Sequence, residues 1–235
     1  MNDKITLGAY APGLGDYLVF TSIFKVLKNC EMVLYEHPAS RKNCRVFDNL
    51  CDISFTSDKE RLVCPEGNHV HTAQKKLEGL GIADKCNCIP KIELTSAEKR
   101  WADQCLSPYH ECIAFSADTA GGHAREDWQA RHRMYDNWEP ILKKYRERYT
   151  ILQFGLKGRM TKFENADHVI EDLDIRQLAA SYWKIGRYLG IDSGDHHLAL
   201  SVGCKVNILF PERTYFYNPE NWQYTPELWK DEPVR

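Results

Sequence analysis

The stretch that decides the fold is YLGIDSGDHHLALSVGCKVNILF, residues 188–210. Its two apolar runs, 188–191 and 206–210, predict short buried strands. A helix is predicted over 198–202, and it ends at Gly203, a residue type that is common just after a helix. The stretch therefore predicts a β-α-β unit, which is the building block of a parallel sheet.

The polar turn of this unit, residues 192–197, follows a strand and precedes a helix. Open α/β sheets bind ligands at that position, and the unpaired N–H groups and the dipole of a helix start favour a phosphate. The turn therefore predicts a phosphate-binding site. The alternative is a purely structural turn, in which Asp192 or Ser193 only caps the helix.

Composition places the chain among ordinary globular proteins. Its 235 residues fit either one large domain or two small ones, and 43% are hydrophobic and 27% charged. The net charge of -2 argues against a nucleic-acid arm or a generally basic membrane-binding surface. Since no apolar run approaches ~18 residues and the first residues do not form a signal sequence, we expect a cytoplasmic protein without a transmembrane helix.

The nine cysteines form no repeated C-x-x-C pair, so most of them are expected to be small buried hydrophobic residues. Two local clusters were considered as metal sites, namely Cys64 with His69 and His71, and Cys86 with Cys88. Neither spacing matches a defined zinc motif. No bound metal is therefore predicted.

Strands and helices alternate along the rest of the chain, which predicts a parallel, doubly wound α/β sheet. Strands are predicted over 4–11, 31–37, 52–56, 111–116 and 150–154, and helices over 17–28, 41–50, 72–80, 96–105, 138–149 and 175–184. A change of pattern over 86–95 marks a linker. The predicted domains are therefore 1–90 and 91–213, followed by a tail over 214–235.

Two short motifs are candidates for a nucleotide site and a metal site. The pair Gly13 and Gly15 lacks the third glycine of a dinucleotide fingerprint, because Leu18 occupies that place, and no P-loop pattern is present. The acidic triplet 172–174 could hold Mn²⁺, but its central Leu173 begins an apolar spacing that continues into the next helix. A solvated loop is the favoured interpretation of the triplet.

Three motifs together resemble the heptosyltransferase family, glycosyltransferase family 9. Residues 13–21, GLGDYLVFT, and the following helix that ends in Leu27 and Lys28 are similar to the family's N-terminal signature. Residues 192–199, DSGDHHLA, are similar to its C-terminal D-[ST]-G-x-x-H-L-A motif. Arg131, seven residues before Trp138, stands where the family usually has a lysine before a Trp-containing helix.

The resemblance implies a GT-B architecture, in which two Rossmann-like domains with parallel sheets face each other across a cleft. The first domain would hold the acceptor and the second the nucleotide-sugar donor. Asp16 would be the general base, although capping of the first helix is an alternative role for it. Gly13 and Gly15 would form the acceptor-side loop.

The resemblance also implies a set of donor-binding residues. The diphosphate would be bound by side chains and N–H groups at strand-to-helix turns, and Leu173 would lie beside the base. The diphosphate-binding residues would be Thr119, Arg131, Asp192, Ser193, Gly194 and His197. Within this set, Asp192 is expected to order the loop or to bind the ribose, because a diphosphate would repel its carboxylate. His197 has a half-buried structural role as its alternative.

The implied activity is an inverting, metal-independent transfer of a sugar from a nucleotide-diphosphate sugar to a hydroxyl of a glycan or a small molecule. The nucleotide sugar is a co-substrate, and no cofactor or nucleic-acid partner is expected. The first half, about ninety residues, is short for the family, which leaves the acceptor open. A non-catalytic nucleotide-sugar-binding scaffold is the alternative, and an epimerase or dehydrogenase would need a nicotinamide site that the chain does not show.

Overall fold

A computed structural model describes the greater part of the chain. Counting 27, 62 and 81 as single positions, the ten described segments are residues 5–9, 14–25, 27, 30–58, 62, 81, 89–117, 138–158, 160–191 and 193–209. The chain divides into two compact units, and the boundary between them lies between Glu93 and Leu94.

The first unit contains a parallel sheet of three described strands in the order β1-β2-β3. The strands are β1 (Ile5–Ala9), β2 (Cys30–Tyr35) and β3 (Asp52–Thr56), and the helices are α1 (Leu14–Thr21) and α2 (Pro38–Asn43). A short 3₁₀ helix follows each of them, over Ser22–Lys25 and Cys44–Phe47. The predicted alternation of strand and helix is therefore present in this unit.

Helix α1 begins earlier than the sequence predicts, at Leu14 rather than at Tyr17. Gly15 is therefore the second residue of the helix and not part of the preceding turn. Asp16 is the third residue and lies in the first turn, so it is not the N-cap residue that was its alternative role. The apolar residues that follow, Tyr17 and Leu18, are fully buried, and burial of this face favours extending the helix over the glycine.

Aromatic rings form the core of the first unit beside α1. The ring of Phe47 lies 5.6 Å from that of Tyr17 and 5.8 Å from that of Phe24, measured between centroids. Thr21, the last residue of the N-terminal motif, is fully buried; its hydroxyl donates to the Leu18 carbonyl at 2.6 Å and accepts from the Lys91 N–H at 2.8 Å. This threonine therefore fastens the end of α1 to the segment that leads into the second unit.

The second unit contains a five-stranded parallel sheet in the order β6-β5-β4-β7-β8. Its strands are β4 (Cys112–Ser116), β5 (Thr150–Gly155), β6 (His168–Glu171), β7 (Arg187–Ile191) and β8 (Lys205–Leu209). Its helices are α3 (Ser96–Leu106), α4 (Trp138–Arg146), α5 (Ile175–Ile185) and α6 (Gly194–Ser201). The sequence analysis predicted all of these except β6.

Helices cover both faces of this sheet. On one face, Trp138 of α4 packs edge-on against Phe115 at 4.9 Å, within a buried apolar cluster. On the other face, the Tyr182 ring of α5 packs edge-on against Phe154 and Tyr188, at 5.4 Å from each. Because neighbouring residues of a strand point to opposite faces, each inner strand contributes side chains to both layers.

Candidate functional site

The strand order places a crevice at the centre of the second sheet. Counted from β4, the order is 3-2-1-4-5, so the chain leaves β4 in one direction across the sheet and leaves β7 in the other. The helix that follows β4, α4, lies on the Phe115 face, whereas α5 and α6 lie on the opposite face. The carboxyl ends of β4 and β7 therefore form a topological switch point, the position at which open α/β sheets bind ligands.

The turn singled out by the sequence lies at this point and is closed by a capping box. Ser193 has an extended backbone, with φ -153° and ψ 176°, and α6 begins at Gly194. The Ser193 hydroxyl accepts from the N–H of Asp195 at 3.3 Å and also from the N–H of His196. In return, the Ser193 N–H donates to Nδ1 of His196 at 2.9 Å.

The box changes what the turn can offer a ligand. The Ser193 N–H, expected from the sequence to contribute to phosphate binding, is already bound to His196. The Ser193 oxygen accepts two N–H groups, but its hydroxyl proton can still be donated. Among the hydrogen bonds of the described residues, none uses the N–H of Gly194, the first residue of α6.

Two adjacent histidines occupy the first turn of α6. His196 is fully buried, and burial together with the neighbouring His197 holds its pKa well below the usual range, so its ring is neutral. His197 is half-buried, and its ring lies 3.8 Å from that of His196 between centroids. His196 is thus a structural residue, whereas the predicted role of His197 at the diphosphate stays a prediction.

The first turn of α6 also carries a half-buried acidic group, Asp195, that was not predicted as a site residue. Oδ2 of Asp195 accepts from the hydroxyl of Ser116, the last residue of β4, at 2.9 Å. Burial raises the pKa of Asp195 to about 6, although the hydrogen bond from Ser116 acts in the opposite direction. This bond joins the end of β4 to the first turn of α6.

The end of β7 packs tightly against Ser116 and Tyr188. A Cβ atom on Gly190 would collide with the carbonyl oxygen of Ser116 and would lie 2.5 Å from the Tyr188 hydroxyl. Tyr188 is fully buried, and burial and the charge of Asp195 raise the pKa of its hydroxyl well above the usual value. Gly190 is therefore required by close approach and not by its backbone angles.

The acidic triplet lies at the carboxyl end of β6, and both of its aspartates accept hydrogen bonds from nearby backbone N–H groups. Asp174 caps α5 by accepting from the N–H groups of Arg176 and Gln177, and Oδ1 of Asp172 accepts from the Lys157 N–H at 3.0 Å. Both contacts agree with the loop interpretation rather than with a Mn²⁺ site. Leu173, between them, is half-buried.

Leu173 and Ser193 share the carboxyl edge of one sheet. Because β6 and β7 are three strand spacings apart, they are separated laterally by about 14 Å. The predicted role of Leu173 beside the base stays a prediction.

Several predicted site residues lie outside the described part of the chain. They are Gly13, Thr119, Arg131 and Asp192, together with both cysteine clusters, Cys64 with His69 and His71, and Cys86 with Cys88. Asp16 is described only as a backbone position in α1. Their roles stay predictions.

The described residues form neither a metal-binding cluster nor a membrane-spanning helix. Within that part of the chain, no group of three or more His, Cys, Asp or Glu side chains could hold a metal ion. No helix that the structure describes is both long and apolar enough to cross a membrane.

Comparison with solved structures identifies the class of fold. No protein-family model and no curated protein matches the chain. A glycosyl transferase of family 9 from Veillonella parvula matches with a TM-score of 0.68 and 15% identity, over 95% of this chain and 84% of that one. The protein therefore has the α/β fold of GT-B glycosyltransferases, with parallel sheets.

Two other structures make the likeness more particular. ADP-heptose lps heptosyltransferase II of E. coli matches with a TM-score of 0.57 and 12% identity, over 96% of this chain and 88% of that one. The iron-containing dodecameric glycosyltransferase TibC of enterotoxigenic E. coli matches with a TM-score of 0.60 and 13% identity, over 97% of this chain and 63% of that one. The predicted resemblance to the heptosyltransferase family is thus confirmed at the level of the fold.

Proposed function

We propose that this protein is a glycosyltransferase that moves a sugar from a nucleotide-diphosphate sugar to an acceptor hydroxyl, with inversion and without a metal. The observation that carries the proposal is the position of residues 193–197, the described part of the D-S-G-x-x-H motif. It falls at the switch point of a sheet whose fold is that of family 9 glycosyltransferases. TibC has been solved with ADP-D-β-D-heptose, which is a donor of this chemical class.

The turn supplies groups suited to a leaving diphosphate. As the bond between the sugar and the diphosphate breaks, negative charge develops on the phosphate oxygens, and fixed donors stabilise it. The Gly194 N–H at the start of α6, the hydroxyl proton of Ser193 and the half-buried His197 are the donors on this turn. In the proposal, Thr119 and Arg131 add further donors, the latter through a guanidinium fork.

The remaining predicted residues complete the reaction. Asp16 takes the proton of the acceptor hydroxyl. At the same time the acceptor oxygen attacks the anomeric carbon from the face opposite the diphosphate. The new bond joins the acceptor oxygen to that carbon, the bond to the diphosphate breaks, and the nucleoside diphosphate leaves with the electron pair. Asp192 binds the ribose or orders the loop, and Leu173 lies beside the base.

A donor panel with an acceptor screen tests the proposal. ADP-, UDP- and GDP-linked sugars would be incubated with candidate glycans and small-molecule acceptors, and release of nucleoside diphosphate would be measured. For the active pair, Asp16→Asn should lower kcat by about 10²- to 10⁴-fold, because the general base is lost. The control Asp48→Asn removes an exposed carboxylate of the same unit that pairs with Arg45, and it should leave turnover unchanged.

Two results would change the assignment. Full turnover by folded Asp16→Asn would show that another group is the base. Binding of nucleoside diphosphates without transfer or hydrolysis of any donor would favour a non-catalytic nucleotide-sugar-binding scaffold. The short first unit, which ends at Glu93, is the observation that favours this second function.

A further inference from the structure

A polar cluster, buried except for the half-buried Asp195, lies at the first turn of α6. It consists of Asp195, the second residue of that helix, together with Ser116 at the end of β4, Tyr188 on β7 and Tyr182 on α5. Both tyrosines are completely buried, as is His196 beside Asp195. Four elements of the unit therefore meet at one carboxyl group.

The hydrogen bond between Ser116 and Asp195 spans the switch point. It joins residues 79 positions apart, at 2.9 Å, and it is the described side-chain link between β4 and α6. Because the β4 end and the α6 start flank the predicted diphosphate site, this bond fixes where the Gly194 N–H lies with respect to β4. A change at the Asp195 carboxyl would therefore move or loosen the turn.

Two buried tyrosine hydroxyls are polar neighbours of Asp195. Within the described part of the chain, neither the Tyr182 nor the Tyr188 hydroxyl makes a hydrogen bond of ordinary geometry. Both lie close enough to Asp195 for its charge to raise their pKa values. A hydroxyl can accept as well as donate, so this environment can solvate Asp195 in its ionised or its neutral form.

A bound diphosphate would shift the balance between these two forms. It would place negative charge at the start of α6, within one helical turn of Asp195. Like charges at short range disfavour ionisation, so the pKa of Asp195, already raised to about 6 by burial, would rise further. At neutral pH the carboxyl group would then gain a proton on binding.

We propose that Asp195 is a positioning residue of the donor site and takes up a proton when a nucleoside diphosphate binds in front of it. This inference rests on the proposed function, since it needs the diphosphate at the β7–α6 turn. The protonated carboxyl keeps its bond with Ser116 through its carbonyl oxygen and relieves the repulsion. Donor binding is thereby linked to pH through a group that need not touch the ligand.

The other groups that face Asp195 define the competing explanation. Ser116, Tyr188 and Tyr182 face it from β4, β7 and α5, and the two histidines follow it on α6. The tyrosines stay neutral because burial raises their pKa values, and burial keeps His196 neutral as well. His197 is the competing proton acceptor, since histidine changes charge near neutral pH.

Calorimetry in two buffers of different ionisation enthalpy measures the proton count directly. ADP, UDP and GDP would be titrated into the full chain between pH 6 and 8. The wild type should take up as much as one proton per bound nucleotide. Its affinity for the nucleotide should therefore fall by up to about tenfold for each unit by which the pH rises across this range. Asp195→Asn keeps an oxygen that accepts from Ser116 but should lose this proton uptake. Subtracting the proton count of the variant from that of the wild type cancels the protons exchanged by the nucleotide itself.

Matched variants separate Asp195 from its neighbours. Asp103→Asn removes an exposed carboxylate that pairs with Lys184 and should bind like the wild type. Ser116→Ala should move the pH dependence to higher pH, because the bond that favours the ionised carboxylate is lost. Circular dichroism and thermal melting would confirm that each variant is folded.

The outcomes distinguish this inference from the proposed function. Proton uptake that persists in Asp195→Asn, or that disappears only in His197→Asn, would overturn the role of Asp195 while leaving the donor site in place. Pyrophosphate and all three nucleotides failing to bind the wild type would overturn the donor site itself and this inference with it. Binding coupled to an Asp195-dependent proton supports both.

Discussion

Two strand-to-helix turns in the second sheet use the same capping device and differ in what they leave for a ligand. At the β6–α5 turn, Asp174 accepts from the N–H groups of Arg176 and Gln177, and the Gln177 side chain accepts from the Asp174 N–H. At the β7–α6 turn, Ser193 and His196 form the equivalent box. Local helix chemistry therefore does not distinguish a structural turn from a candidate site.

The surroundings do distinguish them. At the edge turn, the Arg176 guanidinium makes two hydrogen bonds to the Glu98 carboxylate, at 2.7 and 2.9 Å, and Asp172 binds the Lys157 N–H. At the switch point, no described hydrogen bond uses the Gly194 N–H, and the half-buried Asp195 accepts from the hydroxyl of Ser116. Open α/β sheets bind ligands at the switch point, so position in the sheet makes the β7–α6 turn the candidate site.

The largest expected effect comes from the ion pair at the edge turn. Arg176 is almost completely buried, with a side chain 2% exposed, and Glu98 holds its charge. Glu98→Gln keeps the capping box of α3 but removes the carboxylate, so the free energy of unfolding should fall by about 3–5 kcal/mol. Urea denaturation of the variant would measure this loss.

A second ion pair between the same two helices provides the control. Asp103 and Lys184 also join α3 to α5, at 2.6 Å, but their side chains are 49% and 42% exposed. Asp103→Asn should lower the free energy of unfolding by about 0–1 kcal/mol. Combining Glu98→Gln with Arg176→Met should recover much of the stability that Glu98→Gln alone removes. Equal losses in the two single variants would show that burial does not set the strength of these pairs.

Low pH should break the ion pair between Arg176 and Glu98, because the Glu98 carboxylate becomes protonated. Hydrogen bonds from Arg176 and from Thr95 overcome the cost of burial and lower the pKa of Glu98 from 4.5 to about 2. A carboxyl group whose pKa is lowered by folding stabilises the protein above its unfolded pKa, and the stabilisation is lost as the pH falls from 4.5 towards 2. The difference corresponds to about 3 kcal/mol, because one pKa unit is about 1.36 kcal/mol.

Urea midpoints recorded from pH 6 to pH 2 would measure the loss. Glu98→Gln should show a smaller decrease over this range than the wild type. Parallel curves for the two proteins would place the acid sensitivity in other groups.

A methyl group on either of two glycines tests how closely each turn is packed. On Gly190, beside the switch point, it would meet the backbone carbonyl of Ser116, whereas on Gly155, beside the edge turn, it would meet the flexible side chain of Met160. Gly190→Ala should therefore cost about 1–3 kcal/mol and weaken nucleotide binding, and Gly155→Ala should cost less. Thermal unfolding and calorimetry would compare them, and an unperturbed Gly190→Ala would contradict the close packing.

The sequence predicted the arrangement of strands and helices because their apolar periodicity is strong. Strand β6 was missed because it is short and lies at the sheet edge, where Val169 is 36% exposed, so no buried run marks it. The box at Asp174 had a readable signal, with Gln177 three residues later. The box at Ser193 had none, because histidine replaces the usual glutamate or glutamine.

The inner part of the candidate site could not be predicted from local sequence. Asp195 was not predicted as a site residue, because its hydrogen-bond partner Ser116 is 79 residues away in the sequence. Ser116 and Tyr188 read as ordinary strand residues, since their proximity is set by the order of β4 and β7 in the sheet. Long-range pairing creates this cluster, and single-sequence periodicity does not report it.

The smallest expected effect on stability, and the sharpest test of the comparison, comes from removing the two caps. Asp174→Ala and Ser193→Ala each remove a side chain that caps a helix, so each should lower the free energy of unfolding by about 1 kcal/mol. Nucleotide affinity should separate them. Ser193→Ala should weaken binding of ADP, UDP or GDP, because both its hydroxyl proton and the position of the Gly194 N–H are lost, whereas Asp174→Ala should bind like the wild type. Equal affinities in the two variants would show that the β7–α6 turn is as purely structural as its counterpart at the edge.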